Sequence, residues 1–205
     1  MFITLEGGEG SGKTTVAKAL IADFEARGYE VIYTREPGGN PIAESIREVI
    51  LDKKNTDMDI RTEALLYAAA RRQHLVDVIE PALDAGKIVI CDRFVDSSIA
   101  YQGYARQIGP DLVAEINDFA IAGKEPDLTL LLNIRPEIGL ARIAQDENRE
   151  INRLDLETLD FHNAVYAGYQ TLAKLNPMRI QVIEAEQPVA AVVADVLKVI
   201  EARLS

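Results

Sequence analysis

Eight consecutive residues, Gly7-Gly8-Glu9-Gly10-Ser11-Gly12-Lys13-Thr14, have the types and spacing needed to grip an anion. Glycines let the backbone wrap until successive N–H groups converge on one oxyanion, and a helix starting there adds the positive end of its dipole. This is a complete P-loop pattern: Lys13 can reach the β- and γ-phosphates of a nucleoside triphosphate, and the Thr14 hydroxyl can ligate Mg²⁺. A second group, Asp92-Arg93-Phe94, follows a short apolar run. There a carboxylate can orient Mg²⁺ or its waters and a guanidinium can clamp a phosphate through two parallel hydrogen bonds. A GTPase would need a guanine-reading Asn-Lys-x-Asp and an Asp-x-x-Gly after a strand, and neither occurs.

Phosphoryl transfer also needs positive charge at the transition state. Residues 146–155 are polar, lack a clean helical stripe and carry Arg149 and Arg153, a composition that suits a closing lid; Arg142 is a further candidate. Cys91 closes an apolar strand and reads as a small buried packer. His74 and His162 lack metal-ligand spacing with each other or with the cysteine, so no zinc site is expected. The acidic stretch 184–186 reads as a solvated strand exit.

These groups need a scaffold, and the chain alternates short apolar runs with longer amphipathic stretches. Residues 2–6, 31–34, 88–91, 128–133 and 180–183 read as buried strands. Helical patterns cover 13–27 (stopped by Gly28), 41–51, 60–84 with Pro81 placed to kink it, 111–121, 136–145, 155–175 and 188–204. Such alternation implies an α/β fold, a five-stranded parallel sheet with helices on both faces and a short lid. Ligands of such sheets sit beyond the carboxyl ends of the strands, where the chemistry-bearing groups fall. The expected organisation is one P-loop domain over residues 1–205, with the lid at about 146–155.

Nearly half of the 205 residues are apolar, enough for a core without disulfides. The single cysteine suits a reducing compartment. No secretory signal or membrane-length apolar run is visible; the longest candidate, 188–200, contains Asp195 and Lys198. A cytoplasmic protein is expected. A net charge of −11 with bunched arginines fits a small anionic ligand in a local pocket better than a nucleic acid.

Thr34-Arg35-Glu36-Pro37-Gly38-Gly39, Asp92-Arg93-Phe94 with Ser97 and Ser98, Ala100-Tyr101-Gln102-Gly103, Tyr67-Ala68-Ala69-Ala70-Arg71-Arg72 and Pro126-Asp127-Leu128-Thr129 together resemble the signatures of thymidylate kinases. The similarity runs from the first strand to the last helix, and resembles most the subgroup whose lid carries the arginines. The resemblance implies ATP as phosphoryl donor, dTMP as acceptor, Mg²⁺ and a homodimer, with the pattern 60–79 as one possible contact face. It also implies that Arg35 and Arg93 hold the dTMP phosphate, that Tyr67 stacks on thymine, and that Arg71 and Gln102 read the base edge with Ser98 assisting. Tyr101 would lie under the deoxyribose, Glu9 near the sugar 3′-hydroxyl and the metal, and Arg47 on the acceptor side. Without the resemblance Tyr67, in a helix rich in apolar residues, reads first as a core aromatic, and the Mg²⁺ ligands stay open among Thr14, Asp92 and Glu9. Another P-loop nucleoside or nucleotide kinase, or a nucleotide-binding module without turnover, shares the phosphate loop. The Thr-Arg-Glu-Pro-Gly-Gly segment and the Tyr-Gln pair speak for dTMP, and acceptor-side with lid arginines speak for turnover.

Overall fold

The computed structural model describes residues 1–145 and 153–204. The strands β1 (Phe2–Glu6), β2 (Val31–Arg35), β3 (Ile88–Asp92), β4 (Leu128–Asn133) and β5 (Ile180–Glu184) form one parallel sheet in the order β2-β3-β1-β4-β5. Every residue of β1 is buried, because the central strand of a parallel sheet is covered on both faces. Its side chains alternate accordingly. Ile3 and Leu5 join Ile90, Leu130 and Leu132 beneath α1 (Lys13–Ala26) and α9 (Val189–Leu204). Phe2 turns to the opposite face, with Val89, Cys91 and Phe94.

Register decides what the strand ends share. Leu5 pairs with Asp92, and Asp92 with Arg35, so the tips of β1, β3 and β2 end at one level. The loop after β1 therefore opens beside Arg35, Asp92 and Arg93.

The remaining helices are α2 (Pro41–Leu51), α3 (Ile60–His74), α4 (Glu80–Asp84), α5 (Val95–Ser98), α6 (Pro110–Ile121), α7 (Pro136–Ala144) and α8 (Leu159–Leu175). Three of them depart from the pattern in the sequence. The expected helix 60–84 is continuous but is interrupted by a π-helical turn at Leu75–Ile79, where the Glu80 N–H donates to the Leu75 carbonyl. A proline inside a helix lacks its N–H and crowds the carbonyl of the preceding turn; the wider turn sits immediately before Pro81. Residues 95–105 are helical throughout, as α5 followed by a π-helical Ile99–Ala105, although no helix is evident there from sequence. The reason is burial all round: Asp96, Ser97, Ser98, Tyr101 and Gln102 are all inside, which leaves no apolar stripe to recognise. The helix expected from 155 begins instead at Leu159, where Thr158 Oγ1 accepts the Phe161 N–H; a 3-10 turn, Arg153–Leu156, precedes it. Of the expected lid, residues 146–152, Arg149 among them, lie outside the described residues. No helix among the described residues is long and apolar enough to cross a membrane.

Candidate active site

β1 delivers the chain into the phosphate loop, and α1 starts at Lys13. Gly10 and Gly12 adopt left-handed φ values of 67° and 90°, which an L side chain resists. The Lys13 ammonium curls over the loop, donating to the Gly7 and Gly8 carbonyls, each at 3.2 Å, and to Ser11 Oγ at 3.3 Å. Burial, and then repulsion from Arg93, lowers its pKa. Gly10 also lies backbone against backbone with Gly139 of α7: a Cβ on Gly10 would come within 2.2 Å of the Gly139 carbonyl oxygen, and one on Gly139 within 2.1 Å of the Glu9 carbonyl oxygen. An arginine at position 10 is thus excluded by space as well as absent by sequence. Gly139 escaped the sequence reading, although a glycine inside a helical pattern is a signal of close approach.

Arg93 stands at the tip of β3 with φ 70°, left-handed and unusual for a residue with a side chain. That conformation costs on the order of 1–3 kcal/mol, and such strain collects at functional sites. Four groups hold the side chain. Nη2 donates to Glu9 Oε1 at 2.8 Å, and Nη1 to the Gly7 carbonyl at 3.1 Å, Ser97 Oγ at 3.3 Å and Tyr169 Oη at 3.4 Å. Its guanidinium also lies 5.1 Å from the centre of the Tyr101 ring. Burial works against the charge, but Tyr101, Glu9 and Tyr169 raise the pKa above the ordinary arginine value.

Beneath Arg93 is Glu6, the last residue of β1 and fully buried. Its Oε1 accepts the Phe94 N–H at 2.7 Å and the Ser97 N–H at 3.3 Å; its Oε2 accepts Ser97 Oγ–H at 2.5 Å and Tyr169 Oη–H at 2.9 Å. Glu6 therefore anchors the backbone immediately beyond the strained Arg93. Burial first, then Asp96, pushes its carboxyl up to about 7. Neither Glu6 nor Tyr169 was singled out from sequence. The available signal was a carboxylate on the inward face of a central strand.

One cleft of about 590 Å³ unites these groups with the second half of the site. Its walls include the loop from Glu9 to Thr14, then Asp92 and Arg93, then Arg35, Arg47, Tyr67, Arg71, Ser98, Tyr101 and Gln102. Tyr33 Oη reaches Asp92 Oδ2 at 3.4 Å, and its own pKa is pushed up to about 12 by burial and then by Asp92. Arg35 donates to Glu44 and to the Pro37 carbonyl, which Arg47 also contacts, at 2.9 Å. Arg71 is only 2% exposed: Nε donates to Glu36 Oε2 at 2.7 Å, Nη1 to Ser98 Oγ at 3.0 Å and to Asn117 Oδ1. Tyr101 Oη–H meets Glu9 Oε1 at 3.1 Å, and Gln102 Nε2 donates to Glu63 Oε1 at 2.8 Å. Tyr67 is buried yet lines the cleft, so the alternatives of core aromatic and site aromatic are not exclusive here.

A triphosphate-type loop and a buried, arginine-rich second pocket thus open into a single space. The sequence profile described as Thymidylate kinase matches residues 5–196. A thymidylate kinase of Bacillus pumilus (strain SAFR-032) is 58% identical over 201 residues, covering 98% of this chain and 95% of that protein. One from Clostridium novyi (strain NT) is 59% identical, with 95% of each chain covered. The chain belongs to the thymidylate kinase family. The crystal structure of thymidylate kinase from Ehrlichia chaffeensis agrees in fold, with a TM-score of 0.78 at 37% identity and 98% of both chains covered. Membership of the thymidylate kinase family makes the chain a phosphotransferase.

Arg153, expected to enter the site from the lid, is held among buried partners. It is 5% exposed, its Nε donates to the Ile50 carbonyl at 2.8 Å and its Nη2 to Glu63 Oε2 at 2.5 Å, so it ties the far end of the expected lid to α2 and α3. A buried arginine with a buried carboxylate partner is held where the pair is satisfied, and composition alone could not show that partner. Arg142 instead lines the cleft, its Nη1 3.4 Å from the Gly10 carbonyl. The fold also brings Glu36, His74 and Cys91 within 4.8 Å, a proximity that sequence spacing did not reveal. Each is engaged: His74 with Glu36 and Thr34, Glu36 with Arg71, and the Cys91 thiol, whose pKa burial raises, with the Arg93 carbonyl. The cluster braces the cleft floor.

Proposed function

We propose that this chain transfers the γ-phosphoryl group of ATP to dTMP, giving ADP and dTDP, as one P-loop domain with a lid near residues 146–155, and that the cleft residues divide the work as follows. The observation that carries this reading is the ion pair between Arg93 and Glu9, 2.8 Å, which joins the acceptor side to the phosphate loop within one cleft.

The backbone N–H groups of residues 7–14 and the Lys13 ammonium hold the donor's β- and γ-phosphates. Arg93 and Arg35 hold the dTMP phosphate, a task suited to planar forks of donors, with Arg47 beside them. An oxygen of that phosphate forms the new bond to Pγ while the bond from Pγ to the β,γ-bridging oxygen breaks, and ADP leaves with that electron pair. The attacking oxygen is already anionic, so no general base is required, and positioning with charge neutralisation does most of the work. Thr14 and Asp92 share the cleft and offer the hard oxygen donors Mg²⁺ prefers, so they would hold the ion, which when bound would neutralise charge on the donor phosphates. Glu9 orients Arg93 and Tyr101 and serves the acceptor sugar. The Tyr101 ring packs beneath the deoxyribose, Tyr67 stacks on the base, and Arg71 and Gln102 read its edge with Ser98. Arg142, placed at the loop, and Arg149 from the lid supply the remaining positive charge; Arg153 anchors the lid's far end.

A homodimer fits the surface. Leu112 and Phe119, the latter 90% exposed, lie seven residues apart on α6, and exposed Leu65 lies on the neighbouring α3. Sedimentation of the purified protein tests it. A cytoplasmic location accords with the acidic, single-cysteine composition.

ADP release measured against dTMP, dUMP, thymidine, dCMP, AMP and GMP tests the reaction. Turnover with dTMP well above the rest is expected. Thymidine as sole acceptor would make the chain a nucleoside kinase, and ATP binding without acceptor-dependent turnover would make it a binding module.

A further inference from the structure

The base-reading end of the cleft contains a carboxylate that does not line it. Glu63 of α3 is 1% exposed and accepts from three residues: Gln102 Nε2 at 2.8 Å, Arg106 Nε at 3.2 Å and Nη2 at 3.3 Å, and Arg153 Nη2 at 2.5 Å. We propose that Glu63 is a specificity-determining positioning residue: it fixes the Gln102 amide with its N–H₂ turned away from the ligand, leaving only the carbonyl oxygen to meet the acceptor base. The consequence is selection for bases that carry an imide N–H.

An ionised carboxylate has lone pairs and no proton to give, whereas a glutamine amide has a donating end and an accepting end. The amide atom that sits 2.8 Å from such a carboxylate must be the nitrogen, which fixes the orientation of Gln102. Two guanidinium groups keep Glu63 ionised. Burial pushes its carboxyl up, but the bonds from Gln102, Arg106 and Arg153 outweigh burial and hold it below the ordinary carboxylate range. Arg71, the other edge-reading group, has only donors to offer. The cleft therefore presents one acceptor and a set of donors. Thymine and uracil match it with an N3–H and an O4 acceptor. Cytosine presents an N3 lone pair and a 4-amino donor, so both of its groups face like groups in a buried site, where unpaired polar atoms are costly.

This inference rests on Gln102 being a base-reading group, and the test separates the two. The measurement is the ratio of kcat/KM for dTMP to that for dCMP, with melting curves confirming that each variant is folded. Gln102→Ala should raise KM for dTMP and lower the ratio; if both stay at wild-type values, the base-reading role itself fails. Glu63→Gln lets the amide at 63 donate to Gln102, which is then free to turn its N–H₂ to cytosine. The ratio should fall about tenfold or more, the worth of one buried hydrogen bond to the base. A folded Glu63→Gln variant with the wild-type ratio, while Gln102→Ala loses it, overturns the role of Glu63 alone. The double exchange Glu63→Gln with Gln102→Glu places an acceptor-only group against the base whatever stands at 63, and should restore the preference for dTMP; a preference still lost would refute the matching of one acceptor to the imide N–H. Should Glu63→Gln not fold, Glu63→Asp, which keeps the charge but draws the carboxylate back from Gln102, decides instead: a lowered ratio supports the proposal and a wild-type ratio refutes it.

Discussion

Replacing Gly139 by alanine isolates the contact between α7 and the phosphate loop. Gly139 is buried in α7, and its φ is not in the left-handed region, so the helix itself would accept alanine. Taken alone that exchange stabilises a helix by about 1 kcal/mol. The new methyl carbon, however, would lie 2.1 Å from the Glu9 carbonyl oxygen and 3.2 Å from its carbon. Ordinary contact needs about 3.5 Å, so helix and loop must part by roughly 1 Å or more. Overpacking of this kind costs about 1–3 kcal/mol, which the helix gain partly offsets. At about 2–4 °C per kcal/mol for a chain of this size, the melting temperature should fall by only a few degrees. Activity is the more sensitive quantity, because Glu9 fixes Arg93 and the loop holds the donor phosphates. A misplacement of about 1 Å there costs about a hundredfold in rate. Steady-state ADP release with ATP and dTMP each varied, beside a melting curve, gives both numbers. The expected outcome is a large fall in kcat from a folded protein. An unchanged kcat together with a higher melting temperature would show that the loop and α7 are not coupled, and would refute the packing argument.

Three other perturbations are as direct. Arg93→Lys keeps the charge but cannot reproduce the bonds to Glu9, Gly7, Ser97 and Tyr169, and hydrogen bonds to charged groups are worth about 1.5–3 kcal/mol; kcat/KM for dTMP should drop roughly 10- to 150-fold in the ADP-release assay. Arg153→Ala leaves Glu63 with Arg106 and Gln102, so urea denaturation should show a loss toward the low end of the about 3–5 kcal/mol typical of a broken buried pair, with turnover little changed. A fall in kcat of about a thousandfold without loss of stability would instead return Arg153 to the transferring phosphoryl group. Burial pushes the Glu6 carboxyl up to about 7, from 4.5 for an ordinary glutamate, so between those values the folded state holds more protons than the unfolded one. Its contribution to stability is full below the unfolded pKa and is lost as pH rises toward 7. Relative to Glu6→Gln, the unaltered protein should lose stability across that window and run parallel above it; a difference independent of pH would show that the carboxyl does not titrate there.

The phosphate loop, the five strands and the parallel α/β layout were legible in the amino-acid order because each rests on local regularity. A glycine-rich turn needs its residues adjacent, and a buried strand needs an unbroken apolar run. Asp92 and Arg93 were legible for the same reason, since they stand directly beyond a strand end. What the sequence left hidden depends on partners far away along the chain. The helix at 95–105 has no apolar stripe because polar groups from several other elements surround it. Gly139 is a plain helix residue until the Glu9 backbone is brought against it. Arg153 reads as a lid arginine until α3 supplies Glu63, ninety residues earlier. Buried charges and hydrogen-bonding groups must be satisfied wherever the fold places them, and only the folded chain determines which carboxylate meets which guanidinium.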